Sequence, residues 1–311
     1  MSCARTPAIA ILAYPGAQRS AVEGLFDLFQ IANRVNASDG QIRFAPVIIS
    51  DPGELSRQDD LSAVILPPSL TAPEDIPVDQ ELDTHLVRHH ARGTLLCSVC
   101  AGAFVLARTG LLAGRQATTH WDLANTFTDH FPDVHLNTSK LILDQRDIIT
   151  AGGLMAWLDL GLHLVARFAG GAAMNATARY LLVDPPDREQ SYYQRFSPRL
   201  QHGDEAIRKA QLWMGTHLAD PIRVSALSRA AAMSERSFLR RFKRATGYAP
   251  SAYLQRLRID AARDRLETSN DTIDQIAWAI GYKDPSAFRR QFTQQVGITP
   301  SSFRRRFSLP N

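Results

Sequence analysis

Residues 272–303, TIDQIAWAIGYKDPSAFRRQFTQQVGITPSSF, decide how the last third of this chain folds. A helical pattern with a polar cap breaks at a glycine and resumes in a segment that carries arginines. The pattern predicts a helix-turn-helix, with its turn at Gly281 and its second helix opened by Asp284, whose carboxylate makes a good N-cap. On that second helix Phe288 and Phe292 share the inward face, while Ser286, Arg290, Thr293 and Gln294 face outward.

The pattern occurs a second time upstream, in IRVSALSRAAAMSERSFLRRFKRATGYAPSAYLQRLR, residues 222–258. Phe238 pairs with Phe288, Phe242 with Phe292, Gly247 with Gly297, Pro250 with Pro300 and Tyr253 with Phe303, each 50 positions apart. Leu227 falls opposite Ile276 at 49, so the second turn has gained one residue. So many aromatic, glycine and proline matches at one offset mark a duplication. In the first copy residues 225–231 form the supporting helix, Met233 lies in the turn and Ser234 caps the second helix. Phe238 and Phe242 face inward; Arg236, Arg240, Lys243 and Arg244 fall opposite them. Such a face fits a major groove, where arginine reads guanine through two parallel hydrogen bonds.

Charge agrees with a DNA partner. The 311 residues carry a net charge of only +4, yet residues 205–311 hold 19 Lys+Arg against 9 Asp+Glu. The first 204 residues hold 16 against 22, so the basic excess sits where phosphate would be met.

The longer first part alternates strands and helices. Residues 8–14 are a continuous apolar run ended by Pro15 and Gly16, too short for a membrane span and poor as a signal peptide. Further buried strands are predicted over 44–50, 63–66 and 94–99, with helices over the Val22–Ala32 period, 78–92, 123–131, 154–168 and 175–182. Residues 141–144 and 147–150 read as a short strand pair. This alternation predicts an α/β domain with a parallel sheet flanked by helices over 1–185. A proline-rich polar linker is predicted over 186–204, and an all-α domain with two helix-turn-helix motifs over 205–311.

One chemical feature stands out in the first domain, LLCSVCAGAFVLARTGLL, where a strand ends at Val99 and Cys100 precedes the small residues Ala101-Gly102-Ala103. A nucleophile on a strand-to-helix turn needs such small neighbours, and the helix N-terminus predicts a lowered thiol pKa. Cys97 and Cys100 spell C-x-x-C, but Cys97 falls inside the apolar strand and reads as an inert buried thiol. With Cys3 there are three cysteines, too few for a disulfide framework, which fits a reduced cytoplasmic setting. His89 and His90 read as a solvated helix face, and no ligand spacing suggests a metal or other cofactor.

The segment SVCAGAFVLARTGLLAGRQATTHWDL, with ITAGGLMAWLDLGLHLVARFAG beyond it, resembles the amidotransferase-like PfpI superfamily over about the first 185 residues. The resemblance implies an elbow cysteine at Cys100 with a histidine partner at His120. It also implies an acidic residue soon after the first strand, where this chain has Ala21, with Glu23 pointing elsewhere on the helix. Ser98 stands where a glycine is expected. These departures imply a non-catalytic domain that senses a small molecule around Cys100, Ala101, His120 and Trp121, or that dimerises. A thiol amidase or hydrolase using Cys100, and a redox sensor built on Cys100, remain the alternative readings.

The second domain is similar to the AraC/XylS-type transcription regulators in its I-A-x-x-x-G-Y-x-D-x-S-x-F-x-R-x-F pattern followed by G-I-T-P-x-x-F-R. That family separates its readers by a helix, here about 251–267, which is about 25 Å long. The resemblance implies base-reading candidates at Arg236, Leu239 and Arg240, then at Pro285, Ser286, Ala287 and Arg290. Pro285 has no hydrogen-bonding side chain. Lys243, Arg244, Arg289 and Gln294 complete the expected DNA-binding set. Together the two resemblances imply a GlxA-like regulator, acting as an activator, with promoter DNA, RNA polymerase, a small effector and a second copy of the chain as partners.

Overall fold

The computed structural model describes residues 6–36, 43–186 and 188–308. Contacts divide the chain into two compact units, Met1–Gln190 and Ser191–Asn311. Cys3 lies outside the described residues.

In the first unit the elements run β1 (Ala8–Leu12), α1 (Arg19–Val35), β2 (Ala45–Ile49), α2 (Pro52–Leu55), β3 (Leu61–Leu66), α3 (Gln80–Ala91), β4 (Leu95–Val99) and α4 (Gly102–Arg108). They continue with β5 (Gln116–Ala117), α5 (Ala124–His130), β6 (His135–Leu136), β7 (Ile142–Asp144), β8 (Ile148–Ala151), α6 (Ala156–Ala169) and α7 (Gly171–Leu181). The main sheet has the order β2-β1-β3-β4-β8-β7, parallel except for the β7–β8 hairpin at its edge. Both faces are covered, which is why the strands are apolar without alternation. Ile9, Ile11, Ile65 and Cys97 pack with Leu25 and Phe29 of α1 and Leu160 and Leu164 of α6. Ala10, Leu12, Val64 and Leu96 pack with Leu82 and Leu86 of α3 and Phe104 of α4.

The expected strands and helices all occur, with ends moved by a few residues. A two-stranded parallel pair, β5–β6, was not foreseen, because two-residue strands leave no periodic signal. His89 is a correction: it is 2% exposed, with Nε2 2.9 Å from the carbonyl oxygen of Leu55, so it belongs to the α3 packing face and not to a solvated one. His90 sits 2.8 Å from Asp147.

The segment expected as a linker, 186–204, spans the boundary between the two units and is anchored to both. Arg188 forks Asp159, Lys140 reaches Glu189 at 2.6 Å, and Gln190 is buried in the first unit. From Ser191 onward the chain packs on the second unit. The segment looked like a linker because it is polar, but its charges and amides have found partners.

The second unit runs α8 (Glu205–Thr216), α9 (Val224–Ala230), α10 (Glu235–Thr246), α11 (Pro250–Thr268), α12 (Ile273–Ala279), α13 (Pro285–Val296) and α14 (Pro300–Phe307). It has two small cores. Leu227, Phe238, Phe242 and Tyr253 close the first with Ile207 and Met214 of α8, while Ile276, Phe288, Phe292 and Phe303 close the second. Helix α11 belongs to both, giving Tyr253 and Leu254 to the first and Ile259, Ala262 and Leu266 to the second. Among the described residues no helix is long and apolar enough to cross a membrane.

Candidate nucleic-acid interface

Each copy builds its turn with the same backbone bonds. The Met233 N–H donates to Ser228 O and the Tyr282 N–H to Ala277 O, both at 2.9 Å, closing a Schellman-type stop on α9 and α12. The residue that turns left-handed is Ala232 (φ 52°) in the first copy and Gly281 (φ 87°) in the second. They are 49 apart, and the caps Ser234 and Asp284 are 50 apart, so the added residue lies between them, in Tyr282-Lys283 against the single Met233.

Both expected caps are present. Ser234 accepts from the Ser237 N–H, and Asp284 accepts from the N–H groups of Ser286 and Ala287, which holds its carboxyl below the usual carboxylate range. Left-handed Gly247 and Gly297 close α10 and α13, each donating to a carbonyl at 2.8 Å.

With Phe238 and Phe242 wholly buried, α10 exposes Arg236, Leu239, Arg240, Lys243 and Arg244. Its remaining arginine, Arg241, is turned to the scaffold, where it forks Asp204 at 2.8 Å through two nitrogens. On α13, Phe288 and Phe292 are buried and Ser286, Arg289, Arg290 and Gln294 are exposed, while Ala287 and Thr293 are half-buried. Arg289 lies 2.6 Å from Asp274 of the supporting helix, so part of its charge is spent within the fold. Arg290 reaches Asp284 only at 4.0 Å, with its side chain 72% exposed. The second face is the less basic of the two.

The elbow is where the sequence places it, with a different chemistry. Cys100 follows β4 with φ 53°, and its N–H donates to Ala151 O at 2.8 Å. A side chain at Gly102 would bring a Cβ to 2.5 Å from Leu66 O and 2.7 Å from Pro67 O, so the tight approach demands glycine. The thiol is 4% exposed, and burial pushes its pKa up to about 11, despite the N–H groups of Ala101 and His120 that favour the thiolate. Desolvation therefore outweighs the helix terminus, and the expected lowering is overturned. Cys97, wholly buried, is raised further.

Of the partners expected around the cysteine, the histidine is present but engaged in a cap, and alanine stands where the acid is expected. Ala21 is buried on α1 where an acid would be needed, and Glu23 is exposed. The Nδ1 of His120 accepts from the Asp122 N–H at 3.1 Å, capping a 3-10 turn over Trp121–Leu123, and burial lowers its pKa. Trp121 tilts against His120, and its backbone N–H donates to Gln190 Oε1 at 3.2 Å. Among the described residues no His, Cys, Asp and Glu cluster of three or more could hold a metal ion. A cavity of about 150 Å³ opens nearby, lined by Leu12, Tyr14, Ile49, Leu82, Val105 and Arg108 among others, but not by the four elbow residues expected to hold a ligand.

Sequence reasoning missed Gln190, Arg195 and Arg263, whose contacts span about seventy positions and leave no periodic trace.

An α/β domain with a cysteine elbow, followed by a duplicated helix-turn-helix, defines a regulator class. A helix-turn-helix domain family matches residues 227–306, and the DJ-1/PfpI family matches 34–167. The HTH-type transcriptional regulator GlxA of Rhizobium meliloti is 30% identical over 72% of this chain and 69% of its own length. The regulator ArgR of Pseudomonas aeruginosa is 32% identical over 67% of this chain. The match spans 63% of the length of ArgR and 61% of that of GbdR. A proposed transcriptional regulator of Vibrio parahaemolyticus shares the fold of the first unit, with 19% identity, a TM-score of 0.50, and coverage of 57% of this chain and all of that one. The chain belongs to the AraC-type helix-turn-helix transcriptional regulators that carry a DJ-1/PfpI domain.

Proposed function

We propose that the chain regulates transcription by binding double-stranded promoter DNA through α10 and α13, with the first unit as a non-catalytic control domain. The observation that carries this reading is the duplicated helix-turn-helix with an exposed arginine on each second helix, Arg240 and Arg290. The expected DNA-binding set is Arg236, Leu239, Arg240, Lys243 and Arg244 on α10, then Ser286, Ala287, Arg289, Arg290 and Gln294 on α13. Arg240→Ala and Arg290→Ala should each weaken binding to a cognate duplex by about 1–3 kcal/mol and relax preference at one position. Two variants that bind and discriminate like the parent would remove these helices as readers.

Catalysis has little support. The thiol of Cys100 is buried with a raised pKa, His120 engages its Nδ1 in a cap, and Ala21 stands where the acid is expected. The same burial argues against Cys100 as a redox sensor, since susceptible thiols are exposed and of low pKa. An effector instead enters at the carboxyl ends of the parallel strands, the place where open α/β sheets bind ligands. Tyr14 lines the cavity there; burial raises its pKa and the neighbouring Cys100 adds to the rise, so the cavity lies beside the elbow at Cys100, and the expected ligand set remains Cys100, Ala101, His120 and Trp121. The regulator acts as a dimer and as an activator that contacts RNA polymerase; sedimentation of the full chain at monomer mass would remove the dimer.

A further inference from the structure

Residues 191–196 pack across three parts of the second unit at once. Arg263, on α11, is 4% exposed and donates Nη2 to Ser191 O at 2.7 Å and Nη1 to Tyr192 O at 3.1 Å. Its guanidinium lies 5.4 Å from the ring centre of Phe303 on α14. A buried guanidinium is costly unless it is hydrogen-bonded, and here two backbone carbonyls of this segment take that role.

The carbonyl pair sits over the end of the second reader. Gly297 is the left-handed C-cap of α13, and a Cβ there would come within 2.9 Å of both Ser191 Oγ and Tyr192 Cε1. Four residues on, Arg195 reaches Asp264 at 2.6 Å and Glu267 at 2.9 and 3.1 Å, both on α11. The Phe196 N–H donates to Asp260, one turn earlier on the same helix face. The Phe196 ring then meets Tyr253 edge-on at 5.1 Å and Tyr248 at 5.8 Å. Tyr248 directly follows Gly247, the C-cap of the first reader, so the two ends of the segment meet equivalent places in the two copies.

We propose that residues 191–196 are a strap that fixes the spacing of the two readers, with Arg195 and Arg263 as positioning residues for DNA binding. This rests on the reading that α10 and α13 both enter DNA. Each copy has its own small core, and α11 runs through both. The copies also meet where Gly281 lies against Leu218. The strap adds a brace between the C-caps of the readers. Two readers held at one spacing bind two subsites with a high effective concentration, and loosening them lowers that concentration without changing either contact. The strap begins one residue after Gln190, whose amide donates to Thr118 Oγ1, Thr119 O and Lys140 O in the first unit. Control exerted near the Trp121 loop thus has a covalent route to the brace.

The test uses the full chain and fluorescence anisotropy. One duplex carries both subsites, another carries one subsite only, and a third carries both with one base pair inserted between them. Arg195 is a third exposed and its ion pairs are partly in water, so Arg195→Ala is expected to stay folded at the assay temperature, as its thermal melt checks. It should weaken binding to the two-subsite duplex about tenfold or more, flatten the penalty for the inserted pair, and leave the single-subsite duplex within about twofold. Phe196→Leu should act the same way, and Arg195→Lys should recover part of the spacing preference. A parent that prefers the correct spacing, with Arg195→Ala and Phe196→Leu showing an unchanged profile, overturns the strap. A parent that binds one and two subsites equally overturns the two-reader reading itself.

Discussion

At the scale of single residues, the elbow shows how much of a site's chemistry is set by burial. The small residues around Cys100 announce the strained turn, and Gly102 is held there by two carbonyls in close approach. What they do not announce is solvent access, and access decides whether a thiol is nucleophilic. With a pKa of about 11, Cys100 is about one part in ten thousand thiolate at pH 7. Because the folded value is raised, the tenfold-per-unit growth of the thiolate fraction extends to higher pH than for an exposed thiol. Labelling by iodoacetamide, compared with Cys100→Ser, should be slow at pH 7 and accelerate about tenfold per unit up to pH 9.5. Labelling at pH 7 as fast as an exposed thiol would show that burial does not control this group.

At the scale of elements, the two helix-turn-helix copies separate what sequence can and cannot tell. The 50-residue offset located both second helices, their caps and their inward phenylalanines, because aromatic, glycine and proline positions answer to local rules. The left-handed residue is legible only in the second copy, as Gly281; in the first it is Ala232, a residue type that gives no sign of a positive φ. At Gly281 a Cβ would meet Leu218 O at 2.6 Å and Arg258 Nη2 at 2.7 Å. Gly281→Ala should therefore lower stability by about 2 kcal/mol or more, from left-handed strain plus the clash. Ala232→Gly should stay within about 1 kcal/mol of the parent, since relief of strain and unfolded-chain entropy oppose each other. Urea unfolding measures both, and a neutral Gly281→Ala would refute the account of the turn. The segment 186–204 hides its anchoring for a related reason. Its polar composition is the same whether its groups meet water or, as for Arg188, Gln190 and Arg195, meet partners far along the chain.

At the scale of the whole molecule, charge and core assign the parts. The basic excess of the last third lies on a unit whose two small cores leave the outer faces of α10 and α13 exposed. The acidic first part forms a sheet closed on both faces, with a cavity at its carboxyl edge. Arg289 is paired with Asp274, whereas Arg236, Arg240, Lys243 and Arg244 are exposed, so on the proposed reading α10 supplies most of the grip and α13 refines the choice. Helix α11, at about 28 Å for 19 residues, suits readers in successive major grooves. Selection of bound sequences from a pool of random duplexes by the full chain tests this most directly. The account predicts a motif of two conserved blocks centred about one helical turn apart, about 10 base pairs, with the α10 block the more strongly conserved. A single uninterrupted block, or no enrichment over the starting pool, would contradict it.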